Sequence, residues 1–311
     1  MDIDQFKEYF LEERAFWMNV SQYPNTTMRD LPFLARLMAE RYVDLGVTTW
    51  DKLSDPRTSS WPFIQSPVPT ILMVLTYLYV ILWLGPRLMA NRKPFKLKEV
   101  LFVYNGAQVL LSLYMFYEHF ASGWFLDYSY KCQPVDYSTN DRAMRMARLC
   151  WIYYVSKLTE FADTVFFVMR KKDSQITFLH VYHHSLTPLE TWFLVKFIAG
   201  GHGTLQNLIN NFVHAILYFY YMVAALGPEY QKYLWWKKHL TTLQLAQFMI
   251  VFAHASLLFY NDCGYPRLMG VAMICNSTIF FALFLNFYYQ SFINNKNKSI
   301  KAAPQKTVKA E

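Results

Sequence analysis

Seven apolar stretches dominate this chain. Each is about 20 residues long, the length a helix needs to cross a bilayer. They lie near 68–90, 98–121, 146–169, 175–195, 204–226, 239–260 and 267–291. Backbone polar groups in lipid must find their partners within the segment, so runs like these are restricted to helix. Of the 311 residues 54% are hydrophobic, 19% aromatic and 17% charged. Tyr and Trp gather at membrane interfaces, so the aromatic excess points the same way. The fold expected is an all-α membrane protein, a seven-helix bundle over 68–292. A polar and aromatic segment at 1–67 precedes it and a basic tail at 293–311 follows. No internal repeat is visible, which argues against transporters built from duplicated halves.

Charge sets an expected orientation. Arg87, Arg92, Lys93, Lys96 and Lys98 follow the first span, Arg170, Lys171 and Lys172 end the third, and Lys232, Lys237 and Lys238 follow the fifth. The tail adds Lys296, Lys298, Lys301, Lys306 and Lys309, whereas the opposite loops are poorer in cations. Basic loops stay cytosolic, so the C-terminus is expected in the cytosol and the N-terminus outside it. The first 30 residues lack a basic stretch followed by an apolar core, so insertion is expected to use the internal spans. Asn19-Val-Ser and Asn25-Thr-Thr are glycosylation acceptors on the expected non-cytosolic side. Cys132 and Cys263 fall in two loops on that side, where an oxidising lumen permits a disulfide. Two free thiols are the other reading, because connectivity does not follow from sequence.

Ionisable side chains are costly inside a bilayer and so mark candidate functional sites. His180, His183 and His184 have the spacing i, i+3, i+4, which puts three imidazoles on one helix face. Tyr182 belongs to another face. Lys157, Glu160, Asp163 and Thr164 form a stripe in the third span, where Lys157 and Glu160 are placed to pair. Asn210, His214, Tyr218 and Tyr221 form one in the fifth, with Asn211 beside them. Thr241, Gln244 and Gln247 form one in the sixth. Any one of these stripes is readable as helix-to-helix glue, since polar side chains commonly tie membrane helices together. Four of them in consecutive spans imply an enclosed polar chamber.

These residues also carry a resemblance. Lys-Leu-Thr-Glu-Phe-Ala-Asp-Thr at 157–164, His-Val-Tyr-His-His at 180–184, His-Ala-Ile-Leu-Tyr-Phe-Tyr-Tyr at 214–221 and Thr-Thr-Leu-Gln-Leu-Ala-Gln-Phe at 241–248 resemble the ordered motifs of the very-long-chain fatty acid elongase family. Cys-Gln-Pro-Val-Asp-Tyr-Ser at 132–138 and Tyr-Leu-Trp-Trp-Lys-Lys at 233–238 extend the match, which covers roughly 55–292. Leu217 departs from it, standing where the family usually has Met. The resemblance implies a seven-helix bundle of the endoplasmic reticulum membrane enclosing a narrow acyl-CoA tunnel. It implies a 3-oxoacyl-CoA synthase that condenses a long acyl-CoA with malonyl-CoA, releasing carbon dioxide and CoA. The Val-Lys-Phe-Ile-Ala-Gly-Gly run at 195–201 resembles the subgroup acting on saturated and monounsaturated chains, while His-Val-Tyr-His-His also resembles polyunsaturated-type members.

By the same resemblance His183 is the nucleophile of a ping-pong reaction, His214 orients the acyl carbonyl, and His180 and His184 tune His183. Imidazole attacks thioesters and passes the acyl group on, and neither intramembrane cysteine, Cys150 or Cys275, lies in a polar stripe. A concerted reaction with histidine as general base is the other route. Asn210, Asn211, Tyr218, Gln244 and Gln247 are candidate donors. Arg170, Lys171, Lys172, Lys237 and Lys238 are available to CoA phosphates at the cytosolic mouth, or are ordinary cytosolic-side cations. No cofactor and no metal is implied, since both CoA esters are substrates. The implied partners are membrane lipid, the reductase, dehydratase and enoyl reductase of the elongation cycle, and a second copy of the chain, with no nucleic acid.

Two other classes compete. A di-iron desaturase or hydroxylase uses similar histidine boxes, imidazole being a normal iron ligand. It needs several boxes, whereas the chain has 8 histidines, of which His119, His202, His239 and His254 stand singly. A seven-helix receptor or channel would use the same buried polar residues as a ligand pocket without chemistry.

Overall fold

A computed structural model describes residues 53–294. Asn19, Asn25, the rest of 1–52 and residues 295–311 of the tail lie outside the described residues. Among the described residues the regular elements are helical, without a strand. α1 is Val68–Met89, carried across Gly85 by a π turn at Val80–Leu84, and α2 is Lys98–Trp124. α3 is Asp141–Thr159, α4 Phe161–Met169, α5 Phe178–Phe197 and α6 Thr204–Ala225. α7 is Lys237–Ser256 and α8 is Arg267–Tyr288, with a π turn running on to Asn294.

Among the described residues five rods are long and apolar enough to cross a membrane: α1, α2, α6, α7 and α8. The expectation of seven spans therefore holds at this level for five. α3 is loaded with Asp141, Arg142, Arg145, Arg148 and Lys157, and α5 with three histidines, Glu190 and Lys196. The third expected span is also not one helix, because the chain breaks at Glu160. Ser156 Oγ donates to the Tyr153 carbonyl and Thr159 Oγ1 to the Ser156 carbonyl, both at 2.7 Å. Hydroxyls that bond back along a helix loosen and bend it. The next turn is tight, with the Asp163 amide on the Glu160 carbonyl at 3.1 Å.

The polarity of the bundle is the reverse of a soluble one. Leu72, Leu75, Val103, Leu110, Ile250 and Ile279 are exposed on the rods, while Asn105, Gln108, Lys157, Glu160, Asn210 and Gln247 are buried. Apolar outside and polar inside is what a hydrocarbon solvent selects.

α2 lies along α6, α7 along α8 and α3 along α5, while α1 leans on α5 and α4. Gly85 makes the last contact close: a Cβ there would stand 2.7 Å from Val168 Cγ1 on α4. α3 starts at an Asn140 cap whose side chain accepts from the Ala143 amide at 2.8 Å. α5 starts at Thr177, whose hydroxyl accepts from the His180 amide at 3.3 Å.

One end of the bundle is tied across long stretches of sequence. Cys132 and Cys263 form a disulfide with Cα atoms 5.9 Å apart. Arg57 pairs with Asp55 at 2.6 Å and donates to the Ala199 carbonyl at 2.9 Å. The Thr58 hydroxyl bonds the Val195 carbonyl at 2.6 Å, and the His202 amide bonds the Gln133 carbonyl at 2.8 Å. These bonds hold the start of the described chain and the α2–α3 connection against the α5–α6 connection.

Candidate functional site

The bundle holds a cavity of about 1200 Å³ lined chiefly by α5, α6, α7 and α8, with residues of α2, α3 and α4 completing the wall. Small-molecule sites usually hold roughly 300–1,000 Å³, so this one suits a long ligand. His180, His183, His184 and His214 all line it. The sequence placed the first three on one face of α5, and the structure turns that face towards the α6 residue.

The three α5 imidazoles touch one another. The His180 and His184 ring centres are 4.2 Å apart, and His183 meets His184 edge-on at 5.2 Å. Phe280 of α8 closes on His183 at 5.3 Å, again edge-on. His180 Nε2 is 2.7 Å from Thr164 Oγ1, which is 2.9 Å from Tyr77 Oη on α1. His184 Nδ1 is buried without a partner among the described residues.

The break at Glu160 brings the second group into register. Lys157 Nζ donates to Glu160 Oε1 at 2.7 Å, and both side chains are only 2% exposed. Glu160 Oε1 also lies 3.4 Å from His214 Nδ1. Breaking a buried ion pair by removing one partner costs about 3–5 kcal/mol, so these positions constrain each other. Asn210 Oδ1 accepts from Tyr153 Oη at 2.7 Å and from Lys157 Nζ at 3.1 Å. With its oxygen doubly engaged, the Asn210 amide nitrogen is the group left to donate into the cavity. Tyr218 donates to Asp163 Oδ2 at 2.8 Å.

Of the expected substrate-binding residues, Glu160, Asp163, Asn210, Tyr218, Tyr221, Gln244 and Gln247 line the cavity. Lys157, Thr164 and Asn211 do not. They are buried behind the wall, the first two bonded to residues that do line it. The basic residues divide in the same way. Arg170, Lys172 and Lys237 line the cavity. Lys171 is drawn off it by a 3.1 Å bond to the Ala90 carbonyl, and Lys238 sits over the Tyr288 ring at 5.6 Å. Three of the five candidate cations therefore stand at the cavity wall and two are engaged away from it.

Sequence reasoning missed Tyr77, Tyr153, Phe280 and the pair Glu190–Asn276. Tyr153 stands four residues before Lys157 and so shares its stripe, a signal present in the spacing. Tyr77 and Phe280 lie in apolar runs, where nothing marks them until the helices are packed.

An apolar exterior around a chamber lined by histidine, amide and carboxyl groups, with cations at its wall, defines a helical membrane protein with an enclosed reaction or binding site. The sequence model of the ELO: GNS1/SUR4 family matches residues 62–300, and the chain belongs to that family. It is similar to very long chain fatty acid elongase 7 of Rattus norvegicus, at 51% identity over 245 residues covering 78% of this chain and 87% of the relative. The elongase 7 of Drosophila melanogaster is 49% identical over 256 residues, covering 81% and 78%. The very long chain fatty acid elongase 1 of Homo sapiens is 47% identical over 247 residues, covering 79% and 88%.

Proposed function

We propose that this chamber carries out the condensing step of fatty acid elongation, with the acyl group held on His183. Family membership makes the chain a fatty acid elongase. The observation that carries the chemical reading is the meeting of His183 from α5 and His214 from α6 in one cavity, with Glu160 behind His214 Nδ1.

A ring nitrogen of His183 attacks the acyl-CoA carbonyl. The C–N bond forms, the C–S bond breaks, and CoA leaves as the thiol with the imidazole proton. Malonyl-CoA then loses carbon dioxide, and the electron pair of the broken C–C bond becomes the enolate of acetyl-CoA. The enolate attacks the acyl carbon, the C–N bond breaks, and His183 leaves and takes up one proton from solvent in place of the one CoA carried away. The product is a 3-oxoacyl-CoA two carbons longer. Glu160 beside Nδ1 fixes that nitrogen of His214 as the donor and leaves Nε2 with a lone pair inside the cavity. The Asn210 amide nitrogen and the imidazoles of His180 and His184 stabilise negative charge on the carbonyl and enolate oxygens, where one preorganised donor is worth about 10²–10³ in rate. No cofactor enters the reaction.

Arg170, Lys172 and Lys237 would take the CoA phosphates, which are too polar for the bilayer, while the acyl chain runs inward. Their end of the bundle is the cytosolic one in this reading. α3–α4 and α5 then cross with the five apolar rods, giving seven crossings in the endoplasmic reticulum membrane, an N-terminus and disulfide in the lumen, and a cytosolic tail. Asn19 and Asn25 would be open to glycosylation there. Partners are the other enzymes of the elongation cycle and a second copy of the chain.

Microsomes containing the protein, given radiolabelled malonyl-CoA and acyl-CoAs of graded length, test the reaction. Label in products two carbons longer is expected. Its absence across a broad panel would return the chamber to a ligand pocket without chemistry.

A further inference from the structure

The cavity wall carries one polar pair that the condensation does not use. Glu190 on α5 and Asn276 on α8 both line the cavity. Asn276 Nδ2 donates to Glu190 Oε2 at 3.1 Å. Among the described residues Glu190 has no ion-pair partner, and Asn276 Oδ1 is buried with no hydrogen-bond partner. A carboxyl group in a membrane bundle is costly and marks function by default, and a buried carbonyl oxygen without a donor adds to that cost. An acyl tunnel with no polar task would be lined by hydrocarbon at this depth.

The depth is set by helix geometry. Glu190 is seven residues beyond His183, roughly 10 Å along α5 at about 1.5 Å per residue. Asn207, a cavity-lining residue on α6 that is 5% exposed, is seven residues before His214. α5 and α6 are joined by the short connection at 198–203, so both displacements run towards it. Thr191 and Ser277 line the cavity beside Glu190 and Asn276. The wall is therefore polar on α5, α6 and α8 about 10 Å from the histidines.

An extended hydrocarbon advances roughly 1.25 Å per carbon, from C–C bonds of about 1.5 Å at near-tetrahedral angles. Ten ångströms is then about eight carbons from the thioester carbonyl. We infer that Glu190 and Asn276 form a specificity station for a hydroxyl group carried on the acyl chain about seven to ten carbons from the thioester. A hydroxyl is the smallest group that supplies the donor Asn276 Oδ1 lacks, while Glu190 holds the Asn276 amide in place through Nδ2. It donates to Asn276 Oδ1 and accepts nothing it cannot do without. Elsewhere along an apolar tunnel the same hydroxyl loses its water without replacement.

The inference rests on the elongase reading, and the test separates the two. Acyl-CoAs of one fixed length, unsubstituted or bearing a single hydroxyl at successive positions, are compared by kcat/KM in microsomes containing the full chain. In the wild-type protein the ratio of hydroxylated to unsubstituted substrate is expected to rise about tenfold at carbons seven to ten, relative to positions nearer the chain end. Asn276→Leu and Glu190→Leu are expected to flatten that rise, each variant serving as its own control through the ratio. Glu190→Gln keeps an acceptor for Asn276 and is expected to retain it. A flat profile in the wild-type protein, or a rise that survives both leucine variants, overturns the inference and leaves the pair a tie between α5 and α8. Failure to extend even the unsubstituted chain instead overturns the elongase reading.

Discussion

At the residue scale the chemistry depends on how a few side chains are held. Glu160 is shared by Lys157 and His214, so its removal acts twice. Glu160→Gln leaves Lys157 buried and unpaired, which costs about 3–5 kcal/mol and lowers the melting temperature. Lys157→Met with Glu160→Met restores packing without charge, so stability should recover in a thermal melt. Activity should not, because His214 loses its partner. Recovery of both would reduce Glu160 to a structural role. Asn210→Ala is expected to lower kcat about 10²-fold with less effect on KM, the pattern of a donor that acts in the transition state. Tyr77→Phe removes one hydroxyl from the Tyr77–Thr164–His180 chain. It should cost about 1 kcal/mol of stability, and a drop in kcat measured well below the lowered melting temperature, where the variant is fully folded, would mark it as a positioning residue.

The stripes were legible in the sequence because helical spacing alone puts His180, His183 and His184 on one face, and Asn210, His214 and Tyr218 on another. What spacing does not carry is which residue stands in front and which behind. Lys157 and Thr164 sit in the right stripe but are bonded to Glu160, Asn210 and His180 from behind the cavity wall. Phe280 reaches His183 only because α8 packs there.

At the element scale the informative departure is the break between α3 and α4. The apolar run at 146–169 reads as one span, because hydropathy does not register the back-bonding hydroxyls of Ser156 and Thr159. The break sets Glu160 between Lys157 and His214. α5 runs unbroken through Pro188, which has no amide to give the His184 carbonyl. Thr187 and Thr191 bond back to the His183 and Thr187 carbonyls at 2.9 and 2.8 Å. Gly85 is the matching device on α1. Gly85→Ala would push a methyl into Val168 Cγ1 and the Val80 carbonyl, with an expected loss of about 1–3 kcal/mol seen as a lower melting temperature.

At the scale of the whole molecule, basic and disulfide-bonded ends are distinguished. Arg170, Lys172 and Lys237 line the cavity, while Lys171 and Lys238 are engaged elsewhere. Neutralising the first three should raise KM for acyl-CoA and weaken its dependence on salt, since exposed charges are screened over about 10 Å at 0.1 M. Neutralising Lys171 and Lys238 should change KM much less, and equal effects would dissolve the distinction. The Cys132–Cys263 disulfide spans a sequence separation of 131 residues. Losing such a link typically costs about 2–5 kcal/mol, so Cys132→Ser with Cys263→Ser should melt at a lower temperature. The apolar runs made the membrane class legible from sequence. They did not reveal that α3 and α5 are too polar to rank with the five apolar rods, because Asp141, Arg142, Arg145 and Arg148 cluster in the first half of α3 while α5 carries three histidines, Glu190 and Lys196 along its length.

The central claim is that His183 carries the acyl group, and intact-mass analysis tests it most directly. Purified protein incubated with acyl-CoA alone should gain the mass of one acyl group and release one equivalent of CoA. Malonyl-CoA should then discharge the adduct, and His183→Ala should form none. An adduct that persists in His183→Ala would move the chemistry elsewhere. Turnover with no adduct under any of these conditions would replace the covalent route with a concerted one.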